Sequence, residues 1–252
     1  MKIRSLFLLS LVVSPFVAAN AERVLIPIAY HGHGRFGSYW ATGITAWNTG
    51  DRPLSVAGVK FIVSSSCGIP EGCLVDELPV GETGDVVTAN WNYIQAPHGL
   101  LLSLPDDEDG RPVLLTRLYW DPHWDDWADL PVPLEREFRS TLLRFPLVPL
   151  EGSTRTTLRI YALDLHSPLS LRVFAEPAGG YGGTVEKTII LQPSTSPERY
   201  PSYGELALAN AGGGPYNITV GPEEDQTLQA KVWAFISITR NDSNAVKIMT
   251  PR

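Results

Sequence analysis

The chain opens with an uncharged, mostly apolar run from Leu6 to Val17, set between basic Lys2 and Arg4 and the small residues Ala19-Asn20-Ala21. At about twelve residues the run is shorter than the roughly 20 that span a bilayer. Small residues at positions 19 and 21 fit a signal-peptidase site. The pattern predicts a cleaved export signal over residues 1–21, with Glu22 as the first residue of the mature chain.

Beyond this segment the hydrophobic period is two. From Tyr39 to Trp47 the alternation puts Tyr39, Ala41, Gly43, Thr45 and Trp47 on one face and Trp40, Thr42, Ile44 and Ala46 on the other. The cluster Asn48-Thr49-Gly50-Asp51-Arg52-Pro53 then reads as a turn, and Leu54–Val63 as a returning strand. Arg23–Ala29 is a short apolar run interrupted by Pro27, which suits an edge strand. Short runs rich in β-branched and aromatic residues recur at 99–104, 112–120, 156–163, 169–175, 184–191, 205–209, 216–220, 229–239 and 245–249. Each is bounded by Gly, Pro, Asn or Asp. Helical signal is confined to Leu134–Arg144, where Leu134, Phe138 and Leu142 recur at intervals of four between Pro133 and Pro146. The same residues also read as a strand.

With 22 Gly and 21 Pro marking turns, the pattern predicts an all-β chain of sandwich architecture. Thr42–Trp47 leading to Pro53-Leu-Ser-Val56, and Thr156–Tyr161 leading to Pro168-Leu-Ser-Leu171, form a faint internal repeat. The repeat places a boundary near 149–153, hence a first module over residues 22–149 and a second over 150–252.

The opening of the first module, Gly37-Ser-Tyr-Trp-Ala-Thr42 after a Gly-rich loop and then Asn48-x-Gly-Asp51, resembles uncharacterised secreted bacterial proteins built of tandem Ig-like β-sandwich modules. The aromatic run Val232–Asp242, which enters an Asn/Asp turn, is similar to their closing strand. The resemblance implies an all-β fold of two tandem immunoglobulin-like β-sandwich domains after a cleaved signal peptide. It carries over no catalytic residues. The acidic-aromatic stretch near residue 120 departs from its pattern.

Composition narrows the picture further. Hydrophobic residues make up 44% of the chain and charged residues 19%, as in globular proteins. The formal charge is −7, and the signal segment contains Lys2 and Arg4 but no acid, leaving −9 on the mature chain. An acidic surface repels phosphate backbones, which argues against nucleic acid and anionic membranes as partners. No later run reaches eighteen apolar residues, so no membrane insertion is expected after cleavage.

The two cysteines, Cys67 and Cys73, flank Gly-Ile-Pro-Glu-Gly, and in an exported chain this spacing predicts a local disulfide. So small a loop contributes about 2 kcal/mol. His31 and His33 alternate and offer two imidazoles, but the flanking glycines favour a loop and no third metal ligand stands at a fixed spacing. Asp106, Asp107 and Asp109, with Glu108 among them, precede Gly110. Calcium suits such an oxygen-rich turn, although a solvated hairpin tip built on Asp109-Gly110 is the simpler reading.

The segment from Trp120 to Trp127 holds Trp120, Trp124 and Trp127 with three aspartates, Asp125 among them. Exposed Trp beside carboxylates is the composition of a carbohydrate-binding surface. The plainer reading is a long loop folded back over the sandwich edge. No nucleophile elbow, HExxH, P-loop or dinucleotide fingerprint occurs. The expectation is a secreted or periplasmic, non-enzymatic structural or interaction protein with a protein or glycan partner and no resident cofactor. The alternative is a carbohydrate-binding module using Trp120, Trp124, Trp127 and Asp125.

Overall fold

The computed structural model describes residues 21–33, 39–64, 72–88, 98–105, 112–120, 125–180, 182–208, 214–222 and 230–252. Residues 1–20 of the signal segment, Cys67, the acidic run Asp106, Asp107 and Asp109, and Trp124 lie outside the described residues.

The fold is all-β, as the period-two pattern predicts. The first half contains β1 (Ala21–Ile26), β2 (His31–His33), β3 (Tyr39–Trp47), β4 (Val59–Val63), β5 (Cys73–Val75), β6 (Thr83–Thr88), β7 (Leu100–Pro105), β8 (Val113–Tyr119) and β9 (Trp127–Leu130). The second half contains β10 (Leu143–Pro149), β11 (Thr154–Ala162), β12 (Leu169–Pro177), β13 (Val185–Leu191), β14 (Ser202–Leu208), β15 (Pro215–Pro222), β16 (Val232–Arg240) and β17 (Val246–Met249). One antiparallel sheet runs β5-β4-β6-β3-β8-β9, with β2 added to β3. Two four-stranded sheets, β10-β15-β12-β13 and β14-β11-β16-β17, face each other as a sandwich. The faint repeat does not produce matching elements: β3 and β4 share a sheet, whereas β11 and β12 lie in facing sheets.

The remaining element is a two-stranded antiparallel ribbon, β1 with β7. Pro27 stands just past β1, which has one sheet partner, in keeping with an edge strand. Both of its faces are nevertheless buried. Val24 and Ile26, with Leu100, Leu102 and Leu104, pack against Ile44, Ala46, Phe61, Val63 and Val86 of the large sheet. Leu25 and Leu101 point the other way, into a cluster with Tyr161, Trp233 and Phe235 of the sandwich. The ribbon's outer amides are paired too: Leu25 N–H donates to the Pro133 carbonyl (2.9 Å) and Leu101 N–H to that of Arg199 (2.8 Å).

Strand β16 has the same two-faced burial. Val232, Ala234, Ile236 and Ile238 fill the sandwich core, while Trp233 and Phe235 join the cluster around the ribbon. A strand covered on both sides reads as a near-continuous apolar run, which is why Val232–Ile238 shows so little alternation. The two halves therefore share a buried core of aliphatic and aromatic side chains.

Leu134–Arg144 is not a helix. Glu135–Glu137 forms one 3-10 turn, Phe138 is buried, and β10 begins at Leu143. The Glu137 carboxylate accepts the Leu134 N–H (2.7 Å), which closes this single turn on itself. Pro146 lies within β10, an edge strand, beside a register shift between Phe145 and Val148. The Asn48 turn works as its composition predicts. Buried Asn48 donates through Nδ2 to the Arg52 and Leu78 carbonyls, and its Oδ1 accepts the Gly50 N–H (3.0 Å).

Candidate binding face

One face of the large sheet packs on the ribbon; the other carries a mixed aromatic and aliphatic surface. Alternation along β3 puts Tyr39, Ala41, Gly43, Thr45 and Trp47 on this open face, the set expected from the sequence. Antiparallel register brings Tyr119 opposite Ala41, Arg117 opposite Gly43, Leu115 opposite Thr45 and Val113 opposite Trp47. On β9, Trp127 stands opposite Tyr119 and Asp129 opposite Arg117. Directly opposed residues share a face, so all of these side chains line one surface. Trp47 is 49% and Trp127 44% exposed, and Val113 and Leu115 between them are exposed as well.

The Tyr119–Trp127 end is ordered by local contacts. A Cβ on Gly43 would come within 3.1 Å of Tyr119 Cε2, so the missing side chain leaves room for the tyrosine ring against β3. The Tyr119 and Trp127 rings lie 6.2 Å apart at 52°. The Arg117 guanidinium sits 4.9 Å from the Trp127 ring centre, at cation–π distance. Its Nε lies 3.7 Å from Asp129 Oδ1, an ion pair without a direct hydrogen bond at that nitrogen. Further along the face, Thr45 Oγ1 donates to Asp85 Oδ1 (3.0 Å).

His31 and His33 stand on β2 against β3. Their rings meet the Tyr39 ring edge-on at 5.5 and 5.6 Å, and the Tyr39 hydroxyl bonds His31 Nε2. The two imidazoles therefore form an aromatic cluster with Tyr39. Among the described residues no group of three potential ligands comes together around a metal-sized space.

The residues singled out from the Trp/Asp segment separate. Trp127 is the first residue of β9 rather than part of a loop, and it stands on the open face. Asp125 is exposed two residues before it. Trp120 is half-buried just past β8, where its N–H donates to the Asp126 carbonyl at 3.4 Å. Arg117, Tyr119, Leu115 and Trp47, which the sequence reading did not assign to a site, complete the surface around Trp127. Their signal is the period-two pattern of β3 and β8, which pairs faces but leaves open which one is covered.

No family model, curated protein or solved structure matches this chain.

Among the described residues, several groups displaced in their protonation lie elsewhere, between the halves. Arg23 Nε and Nη2 each donate to one Glu135 oxygen at 2.9 Å, and Nη1 donates to Asp164 Oδ1 at 2.8 Å. Hydrogen bonding to Arg23 holds the carboxyls of Glu135 and Asp164 below the usual range, and both carboxylates raise Arg23. Tyr161 is fully buried, its hydroxyl donates to the Pro27 carbonyl, and burial pushes its ionisation well up. Burial also raises Tyr203, whose hydroxyl donates to Glu205 (2.5 Å).

A cleft of about 300 Å³ opens nearby, between Pro131, Pro133, Glu137, Arg139, Leu143 and Trp233. Glu137 there is already engaged with the Leu134 amide.

Proposed function

We propose that this chain is a secreted or cell-envelope, non-enzymatic interaction protein that binds its partner through the open face of the large sheet. The observation that carries the reading is that face: Trp47, Val113, Leu115, Tyr119 and Trp127 side by side, with two exposed Trp rings. Solvent-facing aromatic and aliphatic side chains in one patch mark interaction surfaces. The displaced titratable groups support a non-catalytic role. Arg23, Glu135 and Asp164 are engaged with one another, and Tyr161 and Tyr203 are packed between the halves. The basic start, apolar run and Ala19-Asn20-Ala21 support export.

The Cys67–Cys73 pair and the two-module Ig-like organisation belong to the same proposal. That no free thiol occurs among the described residues, Cys73 included, supports the disulfide. The facing four-stranded sheets support a sandwich in the second half.

A second reading, carbohydrate binding, is favoured by one observation: Trp127 stands exposed beside Tyr119 and the Arg117–Asp129 pair. The general reading is tested by co-sedimentation of the purified mature protein with isolated bacterial envelopes, comparing wild type with Trp47→Ser and Leu115→Asp. Wild-type protein pellets and the face variants stay in the supernatant. Equal pelleting of all three overturns the role of the face.

A further inference from the structure

We infer that the Tyr119–Trp127 end of this face is a subsite for a neutral glycan chain running along β8. The inference rests on reading the open face as the binding surface and commits it to one class of ligand.

Three features of the geometry point to sugar. First, Tyr119 and Trp127 offer two neighbouring rings, 6.2 Å apart, and Gly43 provides the space that seats the tyrosine. Sugar rings present C–H-rich faces that stack on such aromatics. Second, Arg117 and Asp129 place a donor-only guanidinium and an acceptor-only carboxylate beside the Trp127 ring. Adjacent sugar hydroxyls both donate and accept, so one pair of hydroxyls satisfies both groups. Third, the charges within the subsite cancel while the chain as a whole carries −7. The negative field of the chain repels anionic polymers, and within the subsite Arg117 and Asp129 already neutralise each other, so the ligand that fits is uncharged.

The length of the face favours a chain over a single sugar. Residues 113 to 119 of β8 span about 20 Å at the usual strand rise. Trp47, opposite Val113, stands at the far end from Trp127. Thr45 and Asp85 lie on the way and supply further hydroxyl partners.

The experiment is affinity electrophoresis of the mature protein through gels containing a soluble neutral polysaccharide: mixed-linkage β-glucan, galactomannan, glycol chitin or dextran. Dextran sulfate is the anionic control. The expected result is retardation by at least one neutral polymer that persists at high salt. Trp127→Ala and Tyr119→Ala weaken it at least tenfold, and Trp127→Phe retains most of it. Trp47→Ala weakens binding of a hexasaccharide of the retained polymer more than binding of its trisaccharide. Thermal melting of each variant separates loss of binding from loss of fold.

Absence of retardation in all four neutral gels overturns the inference, as does wild-type retardation by Trp127→Ala. Retardation only in dextran sulfate, abolished by salt, overturns it in favour of charge-driven binding. If the gels fail while Leu115→Asp still abolishes envelope binding, the glycan is wrong and a protein partner holds the face. If both fail, the reading of the face itself falls.

Discussion

Replacing Arg23 by Met keeps most of the stem's volume and removes the fork that joins β1 to the 3-10 turn and to Asp164. Four donor–acceptor contacts are lost, two to each carboxylate. The Arg23 side chain is only 19% exposed, against 36% for Glu135 and 51% for Asp164. Hydrogen bonds to charged groups contribute about 1.5–3 kcal/mol when shielded, and exposed pairs no more than about 1 kcal/mol. With both carboxylates partly solvated, about 1 kcal/mol for each is the reasonable figure, giving a loss of about 2 kcal/mol near neutral pH. Both carboxyls have folded-state pKa values below their ordinary ones. Their stabilisation is therefore complete above the ordinary carboxylate range and disappears as the pH falls through the depressed folded values. Arg23, raised by its partners, stays charged throughout. Urea denaturation is accordingly expected to separate wild type and Arg23→Met by about 2 kcal/mol near pH 7 and by a smaller margin near pH 3, below the ordinary values of both carboxyls. A double-mutant cycle with Glu135→Gln isolates the pair from the packing of the stem. An equal difference at both pH values, or a coupling energy below about 0.3 kcal/mol, refutes the electrostatic account and assigns the effect to packing alone.

Tyr161→Phe leaves the Pro27 carbonyl without its buried donor and is expected to cost about 1–2 kcal/mol in urea titrations, with little change in the denaturant slope; an unchanged midpoint contradicts that. Gly99→Ala combines a φ of +80° with a Cβ placed 3.0 Å from both Leu25 Cδ1 and Tyr161 Cε1. It is expected to destabilise by about 2 kcal/mol and to lower the melting temperature. Export of the full chain is expected to yield a product whose N-terminal sequence begins at Glu22. Peptide mapping without reductant is expected to recover Cys67 and Cys73 in one linked fragment. An N-terminus that retains Leu6–Val17, or two separately alkylated cysteines, argues against those assignments.

Much of the strand content was legible along the chain, because a strand with one wet face alternates. β3 is the clearest case: its Tyr39-to-Trp47 pattern named both faces correctly. β8, β11, β12, β13 and β15 were likewise marked by β-branched residues between turn formers. β5, β6 and β9 were not. Short strands such as Cys73–Val75 and Trp127–Leu130 are carried by the register of their neighbours rather than by a pattern of their own. Trp127 stands out in the sequence by its composition alone, without a strand pattern around it. Only pairing with Tyr119 put it on a sheet.

The sequence by itself determined that the chain is β-rich, that a turn follows Trp47 over Asn48–Pro53, and that Tyr39 and Trp47 share a face. These depend on local alternation and on turn chemistry, both contained within a few residues. The tertiary structure alone decided that β1 pairs with β7, about 80 residues away, and that this ribbon buries one face against each half. It also decided that the Trp47 face is left to solvent while the Ile44 face is covered. Alternation says which side chains travel together, whereas long-range packing says which side of the sheet is filled.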